Sequence, residues 1–357
     1  INSVDWDKLI SNDVERKKIS YNEKDEKSTQ LVNIPFSFMT DTMEMQTRSF
    51  RNSLPKGLVS GDKLINLFNS LSVGYSDSIS FADLPIPFSC IATNMKNGEA
   101  EVLDKGIFSN SLRASMAIPI LFDPIRMNGT MYADGGLVNN FPAEQCRKMG
   151  ADYVIGVSMS PGLEDNMDNL SSIISQAQQL KEIITDKNHD KYHQMCDIFI
   201  SPDLRGVGML SFDAESVSKV TESGYEAARL KEKEFGELKG KLFPTGFQTG
   251  DDCKEKKKAK NIIDEPVFVS GVEFNGTNKD IEKWMLRKFN IGSGKLISKK
   301  DIDETVSVYY GLGNYSNITY ALHNNPGSEG SYILKFNFTE KPPHDFGLGF
   351  RFDSQDM

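Results

Sequence analysis

The chain has 357 residues, which exceeds one ordinary domain and suits two domains joined by a connector. Hydrophobic residues make up 38% of it and charged residues 25%, so wholesale disorder is excluded. The formal net charge of -9 argues against a nucleic-acid-binding protein, because such proteins usually carry a basic face. The charge does not argue against lipid binding, since a neutral lipid surface needs no basic patch.

The region from about residue 80 to residue 160 shows the alternation of an α/β domain. Two short apolar runs, residues 88–93 and 153–157, predict buried strands. Between them, residues 109–117 predict a helix that ends before Pro119. The second strand follows closely on Gly150, where a helix should end. A strand that follows a helix through so short a turn is typical of a parallel sheet with crossover helices.

Two longer segments have the periodicity of amphipathic helices. Apolar residues recur at three- and four-residue spacings over 170–196 and again over 214–238. The apolar stripe of the second helix is expected to face inward, and its members are Val217, Val220, Gly224, Ala227, Ala228 and Leu230. Residues 239–265, rich in glycine and lysine, predict a linker. A lysine run of this kind is usually solvated, and contact with lipid headgroups is the alternative interpretation.

A second domain is predicted after the linker, over residues 266–341. A strand at 267–274 is followed by two helices, which begin near Thr277 and Ser298. Two more strands then cover about 315–322 and 331–338, with a turn between them. The predicted order is β-α-α-β-β, a compact α+β unit. Beyond it, residues 346–352 alternate like the start of another strand.

The sharpest motif is the segment 132–142, Tyr-Ala-Asp-Gly-Gly-Leu-Val-Asn-Asn-Phe-Pro. An isolated Asp-Gly-Gly is most often only a tight turn, because glycine tolerates unusual backbone angles. Here two further blocks precede it, Leu-Pro-Ile-Pro-Phe with Ala92-Thr93 at residues 84–93 and Arg-Ala-Ser-Met-Ala-Ile-Pro at residues 113–119. Together with Leu-Pro-Lys-Gly-Leu-Val-Ser-Gly at 54–61, these blocks resemble the patatin-like phospholipases in order and spacing over about residues 1–235.

The resemblance implies a catalytic dyad of a serine and an aspartate, with Asp134 as the aspartate. A serine hydroxyl is a weak nucleophile, and a carboxylate within hydrogen-bond reach can take its proton and later return it to the leaving group. Residues around Asp134 are expected to support the catalytic loop, namely Gly135, Gly136, Asn139, Asn140 and Arg113. For Arg113, two interpretations stay open: it orients a loop or an anionic headgroup, or it forms a structural ion pair.

The expected serine has no counterpart in the sequence. In the family it lies in Gly-x-Ser-x-Gly at a sharp strand-to-helix turn. That pentapeptide is absent from all 357 residues, and Gly156-Val157-Ser158-Met159-Ser160 fails at its last position. Ser115 is interpreted as a helix residue that packs near the site, not as a substitute nucleophile. The nucleophile and the oxyanion-hole turn are therefore expected upstream of Ile1, and this chain alone is expected to be inactive. Whether that upstream segment is cleaved or omitted stays open.

No cofactor and no metal are expected. The four histidines, His189, His193, His323 and His344, lie outside the three motif blocks, so a Ser-His-Asp triad is disfavoured. His189 and His193 are four residues apart on a helix, but a metal site there is the minor interpretation. The four cysteines show no Cys-x-x-Cys spacing; free thiols are expected, with one disulfide as the alternative. No segment resembles a calcium loop.

Residues 266–341 resemble a POTRA domain, through the order of elements and the strand segments Val-Glu-Phe-Asn-Gly (272–276) and Lys-Phe-Asn-Phe-Thr-Glu (335–340). Residues 346–352 resemble the first strand of an outer-membrane barrel of the bacterial surface antigen type. This order implies a fused phospholipase-transporter in the outer membrane of a Gram-negative bacterium, with these domains in the periplasm or at the cell surface. The alternative is a hydrolase with an unrelated α+β domain.

The fold class expected is therefore α/β, a three-layer patatin-like domain with a largely parallel sheet followed by the POTRA-like α+β domain. The boundaries expected are 1–238 for the hydrolase domain, 239–265 for the linker, 266–341 for the second domain and 342–357 for the start of a barrel strand. The expected partners are a phospholipid or lysophospholipid substrate, the membrane through the barrel, and an extended polypeptide on the POTRA sheet edge. The competing hypothesis is a non-catalytic module for assembly or polypeptide binding.

Overall fold

The computed structural model describes residues 61–119, 121–160, 189–207, 213–243, 262–263, 265–311 and 315–340, with single helical positions at 176, 179, 180 and 183. These residues divide into two compact units. The first contains residues 61–64 and the described part of 78–243. The second contains residues 65–77 and the described part of 262–340.

Helices and strands are numbered in chain order. They are α1 (Asp62–Leu71), β1 (Ile79–Ser80), β2 (Cys90–Asn94), β3 (Glu99–Leu103), β4 (Lys105–Gly106), α2 (Phe108–Ser115), β5 (Ile125–Met127), β6 (Thr130–Asp134), α3 (Ala143–Lys148), β7 (Ile155–Val157), α4 (His189–Met195), β8 (Ile198–Ile200), α5 (Ala214–Arg229), α6 (Glu232–Leu242), β9 (Val267–Asn275), α7 (Lys279–Lys288), β10 (Lys295–Ile297), α8 (Lys299–Gly311), β11 (Tyr315–Asn324) and β12 (Tyr332–Glu340). The mixed α/β class expected from the sequence is confirmed.

A four-stranded antiparallel sheet of order β3-β2-β6-β5 dominates the described part of the first unit, so the expectation of a largely parallel sheet is wrong there. Antiparallel strands can be joined by short turns without a crossover helix, as the chain does between β2 and β3 and between β5 and β6. The central strand β2 is buried because its apolar residues pack beneath α2, with Ala92 and Ala114 both inaccessible to solvent. Helix α2 lies at the predicted position and ends before Pro119, which cannot continue a helix. The small residues of the Arg-Ala-Ser block let the helix approach the sheet closely.

Parallel pairing in the first unit is confined, among the described residues, to β7 and β8. A parallel pair requires a crossover connection, and α4 immediately precedes β8. Gly156, in the middle of β7, has side chains packed directly against its Cα. An added Cβ would lie 2.3 Å from the ring of Phe141 and 2.4 Å from the sulfur of Cys196. The predicted strand at 153–157 is thus present, and its pairing is of the predicted parallel kind.

The second unit is built on a four-stranded sheet of order β10-β9-β12-β11. Strands β9 and β12 are parallel, whereas the two other pairs are antiparallel. Helices α7 and α8 contribute Met285, Ile302 and Tyr309 to a core that also contains Val269, Leu334 and Phe336, all fully buried. The observed order is β-α-β-α-β-β. The predicted strands and helices are all present, and the additional strand β10 was not predicted because it has only three residues. The POTRA resemblance remains a prediction.

The outer edge of this sheet, strand β11, is capped by residues of its own unit. The side-chain amide of Asn66 donates to the carbonyl oxygen of Ile318 and accepts from the N–H of Tyr320, both at 3.0 Å. Asn69 donates to the carbonyl oxygen of Tyr320 at 2.6 Å, and the N–H of Gly74 donates to that of Leu322 at 3.3 Å. The carboxamide of Asn66 thus makes the pair of bonds that a peptide group of a neighbouring strand would make.

One expectation for the region after β8 needs correction. The helix predicted over 214–238 is divided near Leu230 into α5 and α6. Five of the six residues of its apolar stripe are partly buried, whereas Leu230, which follows α5, is 85% exposed. The stripe consists mainly of small residues, so the periodicity marks a face but supplies little apolar area to bury.

Several predicted segments lie outside the described residues. They are most of the helix over 170–188, most of the linker after residue 243, and the strand beyond residue 340. Within the described residues, no helix is both long and apolar enough to span a membrane. Cys90, Cys146 and Cys196 are free thiols, as expected, and Cys253 falls in the part that the structure leaves undescribed.

Candidate active site

Asp134 is the last residue of strand β6, where the chain leaves the sheet and enters a short 3-10 turn at Gly135–Leu137. The backbone N–H of Gly136 donates to Oδ1 of Asp134 at 2.6 Å. This contact fixes the carboxylate against its own turn, as aspartate commonly does at such positions. The side chain is half-buried, so it is both held and accessible to a reactant.

Both glycines after Asp134 lie in close quarters, Gly135 against backbone and Gly136 against the ends of two side chains. A Cβ at Gly135 would lie 2.1 Å from the carbonyl oxygen of Ile91, a backbone atom that cannot move aside without distorting strand β2. A Cβ at Gly136 would lie 2.6 Å from Oδ1 of Asn140 and 2.9 Å from Oδ1 of Asp134. The motif therefore needs glycine for space, and Asn140 belongs to the immediate surroundings of the carboxylate.

Asn139 shapes the same loop in a different way. Its N–H donates to the carbonyl oxygen of Gly135 at 2.9 Å, and its Oδ1 accepts from the N–H of Phe141 at 3.2 Å. These bonds carry the chain from the turn into Phe141, which is buried in the first unit. Asn139 thus stabilises the conformation of the loop, whereas Asn140 lies beside the carboxylate.

The structure brings all three sequence blocks together at Asp134. In the β2–β6 ladder, Ala92 pairs with Asp134 and Thr93 with Ala133. The N–H of Asp134 donates to the carbonyl oxygen of Ala117 at 2.9 Å. The hydroxyl of Thr93 donates to the carbonyl oxygen of Asp134 at 2.7 Å. The backbone of Asp134 is thus held from two sides by residues of the other two blocks.

Arg113 lies in the interior, fully buried on helix α2. Its Nη2 donates to the carbonyl oxygen of Asp123 at 2.8 Å, and its guanidinium lies 4.8 Å from the ring centroid of Phe122. Burial lowers the pKa of Arg113, while the charges of Asp62 and Asp123 act in the opposite direction. A side chain with no exposed surface does not reach a headgroup. The bond to the Asp123 carbonyl fits the orientation of a loop, and the nearby charges of Asp62 and Asp123 fit a structural ion pair, so these two interpretations of Arg113 stay open.

No substitute nucleophile is found among the described residues near Asp134. Ser115 ends helix α2, and its side chain is hydrogen-bonded to Cys90. Burial raises the pKa of the Cys90 thiol to about 12, so it carries almost no thiolate at neutral pH. Ser158 is buried, and its N–H extends the β7–β8 pairing to Ile200.

The described residues contain no cluster of three or more side chains that could hold a metal ion. The ring of His193 lies 5.2 Å from that of Phe199, an ordinary packing contact, and the side chain of His189 is not described.

Two residues at the site were not identified from the sequence as its neighbours, Thr93 and Ala117. Both lie inside the quoted blocks, but a threonine in a strand and an alanine after a helix carry no chemical signature of their own. Their proximity to Asp134 follows from strand pairing, which a single sequence does not give.

Comparison with known proteins agrees with this geometry. Residues 6–147 match the family described as patatin-like phospholipase. Asp134 lies within the matched residues.

Three curated relatives illustrate the likeness. A segment of 77 residues is 35% identical to a lysophospholipase NTE1 of Meyerozyma guilliermondii, covering 22% of this chain and 5% of that protein. A segment of 104 residues is 29% identical to an uncharacterized NTE family protein of Mycobacterium bovis, covering 29% of this chain and 28% of that protein. A segment of 113 residues is 32% identical to the patatin-like phospholipase domain-containing protein 7 of Rattus norvegicus, covering 29% of this chain and 8% of that protein. The chain thus matches less than a third of each of these relatives.

Proposed function

We propose that this chain is the larger part of a serine-dependent lipid acyl hydrolase in which Asp134 is the general base. The observation that carries the proposal is the convergence of three patatin-like sequence blocks at Asp134, whose backbone is held by Thr93 and Ala117. The names of the relatives, a lysophospholipase and a phospholipase domain protein, support a lipid ester as the substrate class.

The carboxylate of Asp134 has two roles in the proposed reaction. As the serine oxygen attacks the ester carbonyl, the carboxylate accepts the hydroxyl proton. It then returns that proton to the departing alkoxide, which leaves an acyl-serine. A water molecule, deprotonated by the same carboxylate, attacks the acyl-serine. The carboxylate then gives that proton to the departing serine oxygen, which releases the fatty acid and regenerates the dyad. The hydrogen bond from Gly136 holds the carboxylate in one orientation throughout these steps.

We assign the nucleophile to sequence that these 357 residues do not contain. The chain has no Gly-x-Ser-x-Gly pentapeptide, and the described serines near the site are engaged in packing or in hydrogen bonds. This chain alone is therefore proposed to be inactive, because removal of one partner of a catalytic pair leaves only residual catalysis.

The proposal extends to the setting of the enzyme. The sequence order of a patatin-like region, a POTRA-like region and a barrel-like strand supports a hydrolase anchored in a bacterial outer membrane. The β-α-β-α-β-β unit of residues 267–340 is compatible with that order. Phospholipid or lysophospholipid would then be the substrate, presented by the membrane itself.

The alternative is a non-catalytic module that binds extended polypeptides by strand addition. One observation weighs against it at the longer sheet edge. The outward backbone groups of β11 at Ile318, Tyr320 and Leu322 already bond to Asn66, Asn69 and Gly74. The opposite edge is the three-residue strand β10, a short template for a partner.

A kinetic comparison tests the proposed function. Hydrolysis of lysophosphatidylcholine would be measured for the full-length protein, its Asp134→Asn variant and an Asp104→Asn control. Asp104 is an exposed carboxylate of the same unit, so its loss should leave the rate unchanged. Asp134→Asn is expected to lower kcat by about a hundredfold or more, since it removes the general base. Wild-type kcat in Asp134→Asn would refute the proposal.

A further inference from the structure

Thr93 stands out among the residues around Asp134 because its hydroxyl is committed to a single backbone atom. It is 6% exposed and donates to the carbonyl oxygen of Asp134 at 2.7 Å. Threonine in a strand ordinarily contributes through packing and β propensity, for which valine would serve equally well. The hydroxyl therefore needs an explanation of its own.

The carbonyl that Thr93 holds lies at the point where strand β6 ends. The pair Ala92–Asp134 is the last of the β2–β6 ladder, and the next residue, Gly135, begins the 3-10 turn. The Asp134 carbonyl belongs to the peptide group that joins the strand to that turn. Its orientation sets the direction in which the turn leaves the sheet.

The 3-10 turn then orients the carboxylate of Asp134. Gly135 is pressed against the backbone of Ile91, and the N–H of the following residue, Gly136, holds Oδ1 of Asp134 at 2.6 Å. Rotation of the Asp134–Gly135 peptide group would move the Gly136 N–H, and with it the carboxylate. The Ala117 carbonyl oxygen accepts from the N–H of Asp134, and the Thr93 hydroxyl donates to the carbonyl oxygen of Asp134.

We infer that Thr93 is a positioning residue for the Asp134 carboxylate. It does not touch the reacting atoms; it sets the entry into the turn that aims the general base. This inference rests on the proposed function, since it gives Thr93 a role only if Asp134 is the base. A misplacement of about 1 Å in a catalytic group can cost about a hundredfold in rate, so one backbone hydrogen bond can matter for kcat.

The test compares three variants at position 93 of the full-length protein. Thr93→Val keeps the shape and removes the hydroxyl, Thr93→Ser keeps the hydroxyl, and Thr93→Ala is a second removal without the bulk of valine. A matched control is Thr305→Val in the second unit, where a fully buried threonine also donates to an aspartate carbonyl, that of Asp301, at 2.7 Å. This control shows how the loss of a buried threonine–carbonyl hydrogen bond affects activity when the bond is distant in sequence from Asp134.

The readouts are kcat and KM for lysophosphatidylcholine, with thermal unfolding measured on each variant. Thr93→Val and Thr93→Ala are expected to lower kcat by about tenfold or more with KM changed by less than about threefold, because the base is displaced and the substrate surface is not. Thr93→Ser should restore most of kcat, and Thr305→Val should leave it unchanged.

Each other outcome has a defined meaning. Wild-type kcat in Thr93→Val and Thr93→Ala, or a Thr93→Ser variant as slow as Thr93→Val, would overturn the positioning role. A change in KM alone would also overturn it. Asp134→Asn, measured beside these variants, separates the two proposals: if it is inactive while Thr93→Val is unaffected, only this inference fails, and if it keeps full activity, the proposed function fails first.

Discussion

At the scale of single residues, the turn after Asp134 depends on how little space surrounds Gly135. The carbonyl oxygen of Ile91 would lie 2.1 Å from a Cβ at this position. Relief would require strand β2 to move, and β2 pairs with both β3 and β6. The requirement for glycine at residue 135 is therefore steric and belongs to the fold as much as to the chemistry.

Gly135→Ala is expected to lower the free energy of unfolding by about 1–3 kcal/mol, the range for overpacking a filled interior. Gly224→Ala is the matched control, because Gly224 lies in helix α5 with no atom within 4 Å of an added Cβ. That control should raise stability by up to about 1 kcal/mol, since alanine is the better helix former. Urea unfolding measures the free energy of unfolding of each variant. Equal stability of the two variants would show that the backbone at Ile91 can move aside at no cost.

Arg113 provides a second test at this scale. Arg113→Met removes a fully buried cation and leaves the nearby carboxylates of Asp62 and Asp123 without it. Loss of one partner from a buried ionic group typically costs about 3–5 kcal/mol, and we expect a loss of unfolding free energy in that range. Arg126→Met, at an exposed position of β5, should change stability by less than about 0.5 kcal/mol. A stability loss of similar size in both variants would contradict the buried ion-pair role.

The proposal of Asp134 as the general base comes from the sequence, because Asp-Gly-Gly and its flanking blocks form a motif with a defined spacing. The identity of the groups that hold it could not be predicted. Thr93 and Ala117 contact Asp134 through strand pairing and a helix end, and neither contact has a local sequence pattern. The burial of Arg113 was similarly undetermined, because an arginine near a helix end is usually exposed.

At the scale of elements, helix α1 substitutes for a fifth strand beside β11. Asn66 satisfies one outward carbonyl and one outward N–H of that strand, and Asn69, itself buried, satisfies a second carbonyl. Unpaired edge groups invite association with other chains, so side-chain capping protects the edge. This arrangement also limits strand addition at β11.

Asn66→Ala should accelerate hydrogen exchange at the Tyr320 amide, because the acceptor of that N–H is removed. Asn69→Ala should cost about 1–3 kcal/mol of unfolding free energy, the usual penalty for leaving a buried carbonyl unsatisfied. Asn275→Ala is the control, since its amide bonds only to Asn337 at an exposed position. Unchanged exchange at Tyr320 in Asn66→Ala would contradict the capping contact.

Asp197 links helix α3 to the β7–β8 pair and gives a pH-dependent prediction. The N–H of Val154 donates to its Oδ2 at 2.7 Å, and Arg147 contacts the same oxygen. The Val154 bond is the main cause that holds the pKa of Asp197 below the ordinary value of 3.8, and Arg147 acts in the same direction.

A lowered carboxyl pKa stabilises the fold above the ordinary value, and that contribution is lost as the pH falls through the lower folded value. Asp197→Asn should therefore be less stable than the wild type at pH 6, with a difference that shrinks as the pH falls below about 4. Chemical unfolding at several pH values between about 3 and 6 measures this stability difference, with Asp104→Asn as the exposed control. A difference that grows toward low pH would contradict the assignment.

Apolar runs and turn residues predicted most elements of both units, because burial and backbone preference act locally at these positions. The failures have physical reasons. Strand β10 is too short to show alternation, and the break between α5 and α6 has no glycine or proline to mark it. The apolar stripe of α5 is partly buried except at Leu230, because periodicity gives the face of a helix but not how completely that face is covered.

At the scale of the whole molecule, residues 6–147 match the patatin-like phospholipase family, and a second compact unit consists mainly of residues 262–340. The family match supports lipid hydrolysis as the function, and the site geometry supports Asp134 as its base. The boundaries at 238, 265 and 341, the POTRA resemblance and the outer-membrane setting remain predictions.

The most direct test is labelling by a fluorophosphonate probe, read out as intact mass. It compares this 357-residue chain, the full-length protein and full-length Asp134→Asn. We predict that the full-length protein gains one probe adduct, that Asp134→Asn gains it far more slowly, and that the chain alone gains none. Labelling of the chain alone would contradict the assignment of the nucleophile to sequence outside it, and labelling of Asp134→Asn at the wild-type rate would contradict Asp134 as the base.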